Sequence, residues 1–166
     1  MVPIISIIGY ADAGKTTLVE KLVCELKKRE YRVGTVKHSV HGSDFDKKGK
    51  DSWRHFAAGA DAVVVASADQ VAVIRRNENK TDDSHDQLSS LSRYLTDMDV
   101  IIAEGYKNSR FPKIEVYRSV IDDPPLCYNN DTIAAIVTDG ELKVNVPCFG
   151  LEDVAQLADF IENTYL

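Results

Sequence analysis

The feature that most constrains this chain is a glycine-rich loop at residues 9–17, which reads G-Y-A-D-A-G-K-T-T. It fits G-x-x-x-x-G-K-T, the phosphate-binding loop (P-loop). An apolar run at residues 4–8, typical of a buried strand, precedes it, and a segment with apolar residues at helical spacing follows it. Because strand, loop and helix come in the order that the motif requires, we predict a nucleoside triphosphate site here.

The residue types in this loop match the chemistry of phosphate binding. Gly9 and Gly14 permit backbone conformations closed to other residues, so several N–H groups can point at an anion. Lys15 brings a compact cation to the β- and γ-phosphates, and the Thr16 hydroxyl can ligate Mg²⁺. The predicted nucleotide contacts of the loop are Gly9, Asp12, Ala13, Gly14, Lys15, Thr16 and Thr17.

Composition favours a single globular domain spanning residues 1–166. The hydrophobic content of 44% and the charged content of 28% are ordinary for such a domain. The net charge of −6 argues against a broad nucleic-acid-binding surface. Three widely separated cysteines indicate a reduced, cytoplasmic setting. No apolar run reaches the roughly 20 residues that span a bilayer, so we expect no membrane partner.

Apolar strands alternate with helical patterns, which predicts an α/β fold with a mainly parallel sheet. Strands are expected at residues 3–8, 32–37, 62–66, 71–74, 99–103, 114–117 and 132–137. A short polar link between the runs at 62–66 and 71–74 predicts a hairpin, which would make part of the sheet antiparallel.

Three further expectations concern single elements. We expect the strand at 114–117 to be exposed on one side and residues 77–86 to form a polar loop. A helix is expected at 52–58, capped by Asp51 or Ser52. Apolar residues between 151 and 161 predict a closing helix.

The ends of the strands predict the rest of the site, since ligands lie at the carboxyl ends of the strands in open α/β sheets. A P-loop enzyme usually needs a second acid there to orient Mg²⁺ and water. Asp99 precedes and Glu104 follows one apolar run, roughly 16 Å apart at about 3.3 Å per residue. Only the C-terminal residue can face the phosphates, so we choose Glu104 over Asp99, with a surface carboxylate as the alternative. The second strand ends at Lys37 and His38.

Asp139, which follows the late strand, is the candidate base reader. A carboxylate can accept hydrogen bonds from both the N1–H and the 2-amino group of guanine, whereas adenine offers no such pair of donors. The alternative is an ordinary turn, because Asp139-Gly140 is a common turn pair.

The segment between residues 37 and 55 is dense in cations and carboxylates. Lys37, Lys50 and Arg54 could bind phosphate or a second anionic substrate, and Arg54 could act as an arginine finger. Asp46 and Asp51 could join the Mg²⁺ shell. As a whole, the segment is predicted to respond to a ligand, although most of its single residues are expected on a polar surface.

The same segment holds three of the four histidines. A zinc site built on His38 and His41 is conceivable, but no cysteine helps and the spacing is not diagnostic. We therefore assign no zinc to the chain.

Four strings stand out along the chain: G-x-x-x-x-G-K-T-T at 9–17, K-H at 37–38, G-K-D-S-W-R-H at 49–55 with A-G-A at 58–60, and A-E-G-Y-K at 103–107. Together they resemble the MobB family, the molybdopterin-guanine dinucleotide biosynthesis adapter proteins. The loop is shared by many families, whereas G-K-D-S-W-R-H and E-G-Y-K are far more specific. The resemblance covers essentially the whole chain.

The resemblance implies a P-loop NTPase-like fold with three α/β/α layers and extra strands. It also implies a homodimer that forms in part through those extra strands. It implies binding of GTP with Mg²⁺, weak GTP hydrolysis, and assistance to the guanylyltransferase that joins GMP to molybdopterin. The matching nucleotide contacts are Gly14, Lys15, Thr16 and Thr17, and the matching acid near Mg²⁺ is Glu104. A functional surface is implied at Lys37, His38, Asp46, Lys50 and Arg54.

One residue departs from the family's pattern. Asp12 lies inside the loop, where a small neutral residue is more usual. A carboxylate that faced inward would meet the phosphate charge, so we expect Asp12 to point to solvent or to a partner subunit.

Two other interpretations use the same scaffold. The chain could be a small-metabolite kinase, with Asp46 or Asp51 as the base that accepts the proton of an acceptor hydroxyl. It could also be a nucleotide-gated metallochaperone whose histidines pass a metal, although a Cys/His cluster is missing from the sequence.

Overall fold

A computed structural model describes residues 1–39, 45–77 and 84–166 of the chain. Packing divides the chain into two compact units, residues 1–38 with 83–166 and residues 39–82. The P-loop belongs to the first unit, and the predicted hairpin belongs to the second. The prediction of one domain over residues 1–166 stays a prediction.

The first unit is built on a parallel sheet of six strands. They are β1 (Ile4–Ile8), β2 (Val33–Lys37), β5 (Val100–Glu104), β6 (Lys113–Tyr117), β7 (Ile133–Thr138) and β8 (Cys148–Gly150), in the order β2-β5-β1-β6-β7-β8. Every ladder between them is parallel. The expectation that part of this sheet is antiparallel is therefore wrong, because the two hairpin strands pair with each other in a sheet of their own.

Helices cover both faces of the six-stranded sheet. On one face α1 (Lys15–Lys28) and α4 (Val154–Tyr165) bury their apolar sides against Ile5, Ile7 and neighbouring strand residues. On the other face α3 (Ser84–Ser92) places Leu88 against Ile4 and Ile101. This confirms the three-layer α/β/α arrangement, which removes the apolar faces of the strands from water.

The prediction of a polar loop over residues 77–86 extends too far at its C-terminal end. Residues 84–86 already belong to α3, and residues 78–83 lie outside the described part of the chain. The polar sequence hides the start of the helix because its apolar face begins only at Leu88, one turn later.

The second unit contains α2 (Asp51–Ala57) and an antiparallel hairpin of β3 (Ala62–Ala66) and β4 (Val71–Arg75), as the sequence predicts. The predicted caps Asp51 and Ser52 are wrong by one and two residues, because Lys50 is the N-cap and its backbone is extended. Asp51 instead lies in the first turn, where a carboxylate favourably meets the positive end of the helix dipole.

Strand β6 lies between β1 and β7 and is buried, so the prediction of a strand exposed on one side is wrong. Its charged residues are satisfied internally. The fully buried Glu115 accepts hydrogen bonds from the N–H groups of Leu126 and Cys127, at 2.7 and 2.9 Å. The buried Nζ of Lys113 donates to oxygens of Ser109, Phe111 and Thr132, at 2.5, 3.0 and 2.6 Å, and burial lowers the pKa of this ammonium.

Glu115→Gln is expected to lower the free energy of unfolding by about 1–3 kcal/mol, the usual cost of leaving a buried polar group unpaired. The amide keeps one acceptor oxygen but turns an NH₂ group toward the second backbone N–H. Chemical denaturation measures the difference. Glu141→Gln, at an exposed position, is the matched control and should stay within about 0.5 kcal/mol of the wild type. Equal stability of the two variants would contradict this account of β6.

The described residues contain neither a membrane span nor a disulfide. Their helices are too short or too polar to cross a bilayer. Cys24, Cys127 and Cys148 are free thiols. Burial, together with the nearby Glu115 carboxylate, raises the pKa of the Cys127 thiol to about 11, which keeps it protonated and unreactive at neutral pH.

Candidate functional site

The loop between β1 and α1 has the backbone conformation that its glycines predict. Gly9 and Gly14 have φ angles of +147° and +98°, and Asp12 has a φ angle of +57°. A Cβ atom on Gly9 would lie 2.4 Å from the carbonyl oxygen of Val116 on β6. The loop therefore packs tightly on the sheet at Gly9. Asp12 is exposed, and the expectation that its carboxylate points away from the phosphates stays a prediction.

Gly9→Ala is expected to destabilise the first unit by at least about 2 kcal/mol, since it combines an unfavourable φ angle with a clash against rigid backbone. Gly14→Ala is the matched control, because its φ angle is also positive but a Cβ there would meet nothing within 4 Å. Thermal and denaturant unfolding compare the two. If Gly14→Ala lowered the free energy of unfolding as much as Gly9→Ala, the close approach of Gly9 to Val116 would not contribute to the destabilisation.

Lys15 turns back over the loop that it terminates. Its Nζ donates to the carbonyl oxygen of Tyr10 at 2.5 Å, and the Tyr10 hydroxyl donates to the carbonyl oxygen of Pro124 at 2.9 Å. Among the described residues, the ammonium group is thus held by a single neutral acceptor, which a phosphate oxygen could replace with a stronger charge-assisted bond. Sequence reasoning missed Tyr10, because it occupies a variable position of the motif.

Three predicted residues meet on the other side of the loop, at the carboxyl ends of β2 and β5. The Thr16 hydroxyl donates to Oε1 of Glu104 at 2.9 Å, and Nζ of Lys37 lies 3.1 Å from the same oxygen. Strand register explains the meeting, because Glu104 is paired with Ile7 of β1 on one side and with Lys37 of β2 on the other. A hydroxyl and a carboxylate in contact offer the oxygen ligands that Mg²⁺ prefers. The oxygens of Thr16 and Glu104 fit a magnesium ion, whereas the Lys37 ammonium, itself a cation, cannot be a ligand.

His38 lies directly beside this cluster. Its backbone N–H donates to the carbonyl oxygen of Glu104 at 3.0 Å. The centre of its ring lies 5.0 Å from the centre of the ring of the buried Tyr106. Gly105 and Tyr106 have φ angles of +92° and +57°, and a Cβ on Gly105 would lie 3.1 Å from that of His38. The turn after Glu104 therefore lets His38 pack closely. Apart from the E-G-Y-K string, no sequence pattern points to Tyr106.

Asp139 lies at the end of β7 with both carboxylate oxygens engaged. Oδ1 accepts the N–H of Ser119 and Oδ2 accepts Nε of Arg118, both at 2.7 Å. These bonds, that of Ser119 first, lower the pKa of the Asp139 carboxyl to about 2. The carboxylate stays ionised at neutral pH, and it holds the turn after β6. Arg118 was missed because it stands 21 residues from Asp139 in the sequence.

The other predicted residues, Asp46, Lys50 and Arg54, belong to the second unit. Nη1 of Arg54 lies 3.7 Å from Oδ1 of Asp51, one helical turn away. Oδ1 of Asp46 accepts the N–H of Lys47, whereas its Oδ2 is buried and has no hydrogen-bond partner in the described part of the chain. Such an oxygen suits a cation. The roles of these three residues stay predictions.

The zinc hypothesis rests partly on a residue that the structure does not describe. His41 lies among residues 40–44, outside the described ranges. Among the residues that are described, the side chains of His, Cys, Asp and Glu form no group of three or more that could hold a metal ion.

Comparisons of the sequence and the structure with known proteins all point to the same family. The family model "MobB: Molybdopterin guanine dinucleotide synthesis protein B" matches residues 4–139. A molybdopterin-guanine dinucleotide biosynthesis adapter protein of Haemophilus influenzae is 37% identical over 163 residues, covering 98% of this chain and 89% of the relative. The Escherichia coli K12 protein of the same name is 34% identical, covering 97% and 92%.

The solved structures extend this likeness to the fold. A crystal structure of molybdopterin-guanine biosynthesis protein B superposes with a TM-score of 0.75 at 30% identity, covering 96% of this chain and 98% of the other. A structure of Bacillus subtilis MobB, with a TM-score of 0.72 at 23% identity, shares the fold. The match therefore spans nearly the whole length of both sequence and structure.

Proposed function

Since the chain belongs to the MobB family, we propose that it is a GTP-binding adapter in the synthesis of the guanine dinucleotide form of the molybdenum cofactor. The observation that carries the proposal is the contact of Thr16, Glu104 and Lys37 beside a complete P-loop. The near full-length similarity to named adapter proteins supplies the pathway.

The P-loop residues would hold the phosphates. Backbone N–H groups of Asp12, Ala13 and Gly14, at the N-terminus of α1, would bind phosphate oxygens. Lys15 would exchange the Tyr10 carbonyl for the β- and γ-phosphates. Thr16 and Glu104 would hold Mg²⁺, and the bound ion would neutralise charge on the phosphate oxygens.

We propose that hydrolysis of GTP is slow. Glu104, the acid that would orient the attacking water, already bonds to the Thr16 hydroxyl and to the Lys37 ammonium. An adapter that holds GTP for a guanylyltransferase does not need fast turnover. We propose this guanylyltransferase, together with molybdopterin or the molybdenum cofactor, as the partners of the chain.

Equilibrium titration with GTP and ATP in the presence of Mg²⁺ tests the nucleotide assignment. Tighter binding of GTP, with slow release of inorganic phosphate, is the expected result. Equal affinity for ATP would oppose a guanine-dependent role. A phosphorylated small-molecule product in place of phosphate would instead establish the kinase.

The hairpin of the second unit is the proposed dimer surface. Val64, Val71 and Val73 are 63%, 68% and 53% exposed, and among described residues β3 pairs only with β4. Val64 and Val73 are cross-strand partners and so share one face. An exposed two-stranded sheet with an apolar face favours association with a second copy.

Val73→Lys is expected to convert the dimer to a monomer, because it would place a charge in the middle of the apolar face. Sedimentation equilibrium measures the mass. Val120→Lys, at a valine that is 81% exposed in the first unit, is the control and should leave the mass unchanged. A wild-type monomer, or a dimer that survives Val73→Lys, would contradict the proposed surface.

A further inference from the structure

A small cavity opens beside the P-loop, within the first unit. Its volume is about 150 Å³, which is below the roughly 300–1,000 Å³ of complete small-molecule sites and suits a single ring system. Buried side chains of Ala13, Val116 and Val137 form its apolar floor. Polar side chains at its rim are Thr17, Lys21, Arg118 and Glu152.

The cavity lies on the opposite side of the loop from Glu104. The order β2-β5-β1-β6-β7-β8 places β5 and β2 on one side of β1 and the cavity-lining strands β6 and β7 on the other. Thr16 bonds to Glu104, whereas Thr17, about 100° further round the helix, lines the cavity. A triphosphate whose last phosphate lies near Glu104 would therefore direct its nucleoside into this cavity.

Two carboxylates near the cavity differ in how easily they can change partner. Asp139 is 24% exposed and has committed both oxygens to Arg118 and Ser119. Glu152 is 84% exposed, and both of its oxygens bond to one partner, Nζ of Lys21, at 2.8 and 2.7 Å. An exposed ion pair contributes little to stability, so Glu152 and Lys21 can separate at low cost.

We propose that the cavity receives the base of the bound nucleotide, and that Glu152 and Lys21 determine its specificity for guanine. This inference rests on the GTP-binding function proposed above. Guanine presents an acceptor, O6, followed by two donors, N1–H and the 2-amino group. Lys21 donates to O6 and the two oxygens of Glu152 accept from the two donors. Adenine lacks both donors, since its N1 carries no hydrogen and its C2 no amino group, so both carboxylate oxygens would lose their partners. Its 6-amino group would also face the Lys21 ammonium, where guanine presents an acceptor.

Asp139 then has a positioning role. With Arg118 it holds the turn that follows β6, and so it shapes one wall of the cavity. This assignment replaces the direct reading of guanine by Asp139 that the sequence suggested, because the structure commits that carboxylate elsewhere.

Competition binding with GTP, ITP and ATP tests the inference, since ITP lacks the 2-amino group. The variants are Glu152→Gln and Asp139→Asn, and Glu141→Gln is the exposed-acid control that lines no part of the cavity. For the wild type and the control we expect the order GTP, then ITP, then ATP. For Glu152→Gln we expect GTP affinity to fall by about 10-fold or more, with ATP affinity unchanged.

Two results would overturn the inference while leaving GTP binding intact. In the first, the Glu152→Gln variant keeps the same preference for GTP over ATP as the wild type. In the second, only the Asp139→Asn variant loses this preference, and its melting temperature is unchanged. Failure of the proposed function looks different, since the wild type would then bind none of the three nucleotides or would bind GTP and ATP equally.

Discussion

Replacement of Lys15 by alanine is expected to weaken GTP binding by about 100-fold or more and to leave the fold intact. Within the described part of the chain, the ammonium group is held by one neutral carbonyl, that of Tyr10, so little stability depends on it. Its bonds to phosphate would be charge-assisted, and losing about 3 kcal/mol of such bonding corresponds to about 100-fold in affinity. Isothermal titration with MgGTP measures the loss, and circular dichroism checks the fold.

A lysine further along the same helix supplies the control for this variant. Lys28 lies in the last turn of α1 and pairs only with the surface carboxylate of Glu25 among the contacts described. Lys28→Ala should bind MgGTP like the wild type. Undiminished binding by Lys15→Ala would mean that the loop at residues 9–17 is not the phosphate site.

Glu104→Gln is expected to remove the dependence of GTP binding on Mg²⁺. The amide keeps an oxygen that can accept from Thr16, but it loses the charge that attracts both the ion and Lys37. We expect the wild type to bind GTP about 10-fold or more tightly with Mg²⁺ than with excess chelator, and the variant to bind equally in both. Titrations with and without Mg²⁺ give the ratio directly.

The other end of the same strand offers the matched control. Asp99 precedes β5, and its carboxylate accepts the N–H of Arg32 at 2.6 Å. Asp99→Asn preserves that acceptor and lies away from the loop, so its Mg²⁺ dependence should equal that of the wild type. A Glu104→Gln variant with an intact Mg²⁺ dependence would exclude Glu104 as the metal acid.

The sequence predicted the parts of the site that follow from strand direction. Gly9, Gly14 and Thr16 belong to a motif whose flanking strand and helix are visible as apolar patterns. Glu104 could be chosen over Asp99 because parallel strands bring their carboxyl ends to one edge of a sheet. The structure places the Glu104 carboxylate against the Thr16 hydroxyl, and its role as the metal acid stays a prediction.

The sequence could not predict the features that depend on distant partners. The pattern K-I-E-V-Y of β6 alternates like a half-exposed strand, yet Glu115 is buried because backbone groups 11 and 12 residues later satisfy its charge. Strand β8 has three residues, too few for a recognisable pattern. The partner of Glu152 is Lys21, 131 residues away. A local sequence pattern therefore could not predict that these two residues meet at the rim of the cavity.

The measurement that tests the central claim most directly is formation of the guanine dinucleotide cofactor by a purified molybdenum-cofactor guanylyltransferase at limiting GTP, with and without this chain. We predict that the wild-type chain raises the rate and that Lys15→Ala does not. An identical rate with and without the wild-type chain, at concentrations where GTP binding to the chain is confirmed, would contradict its role as an adapter.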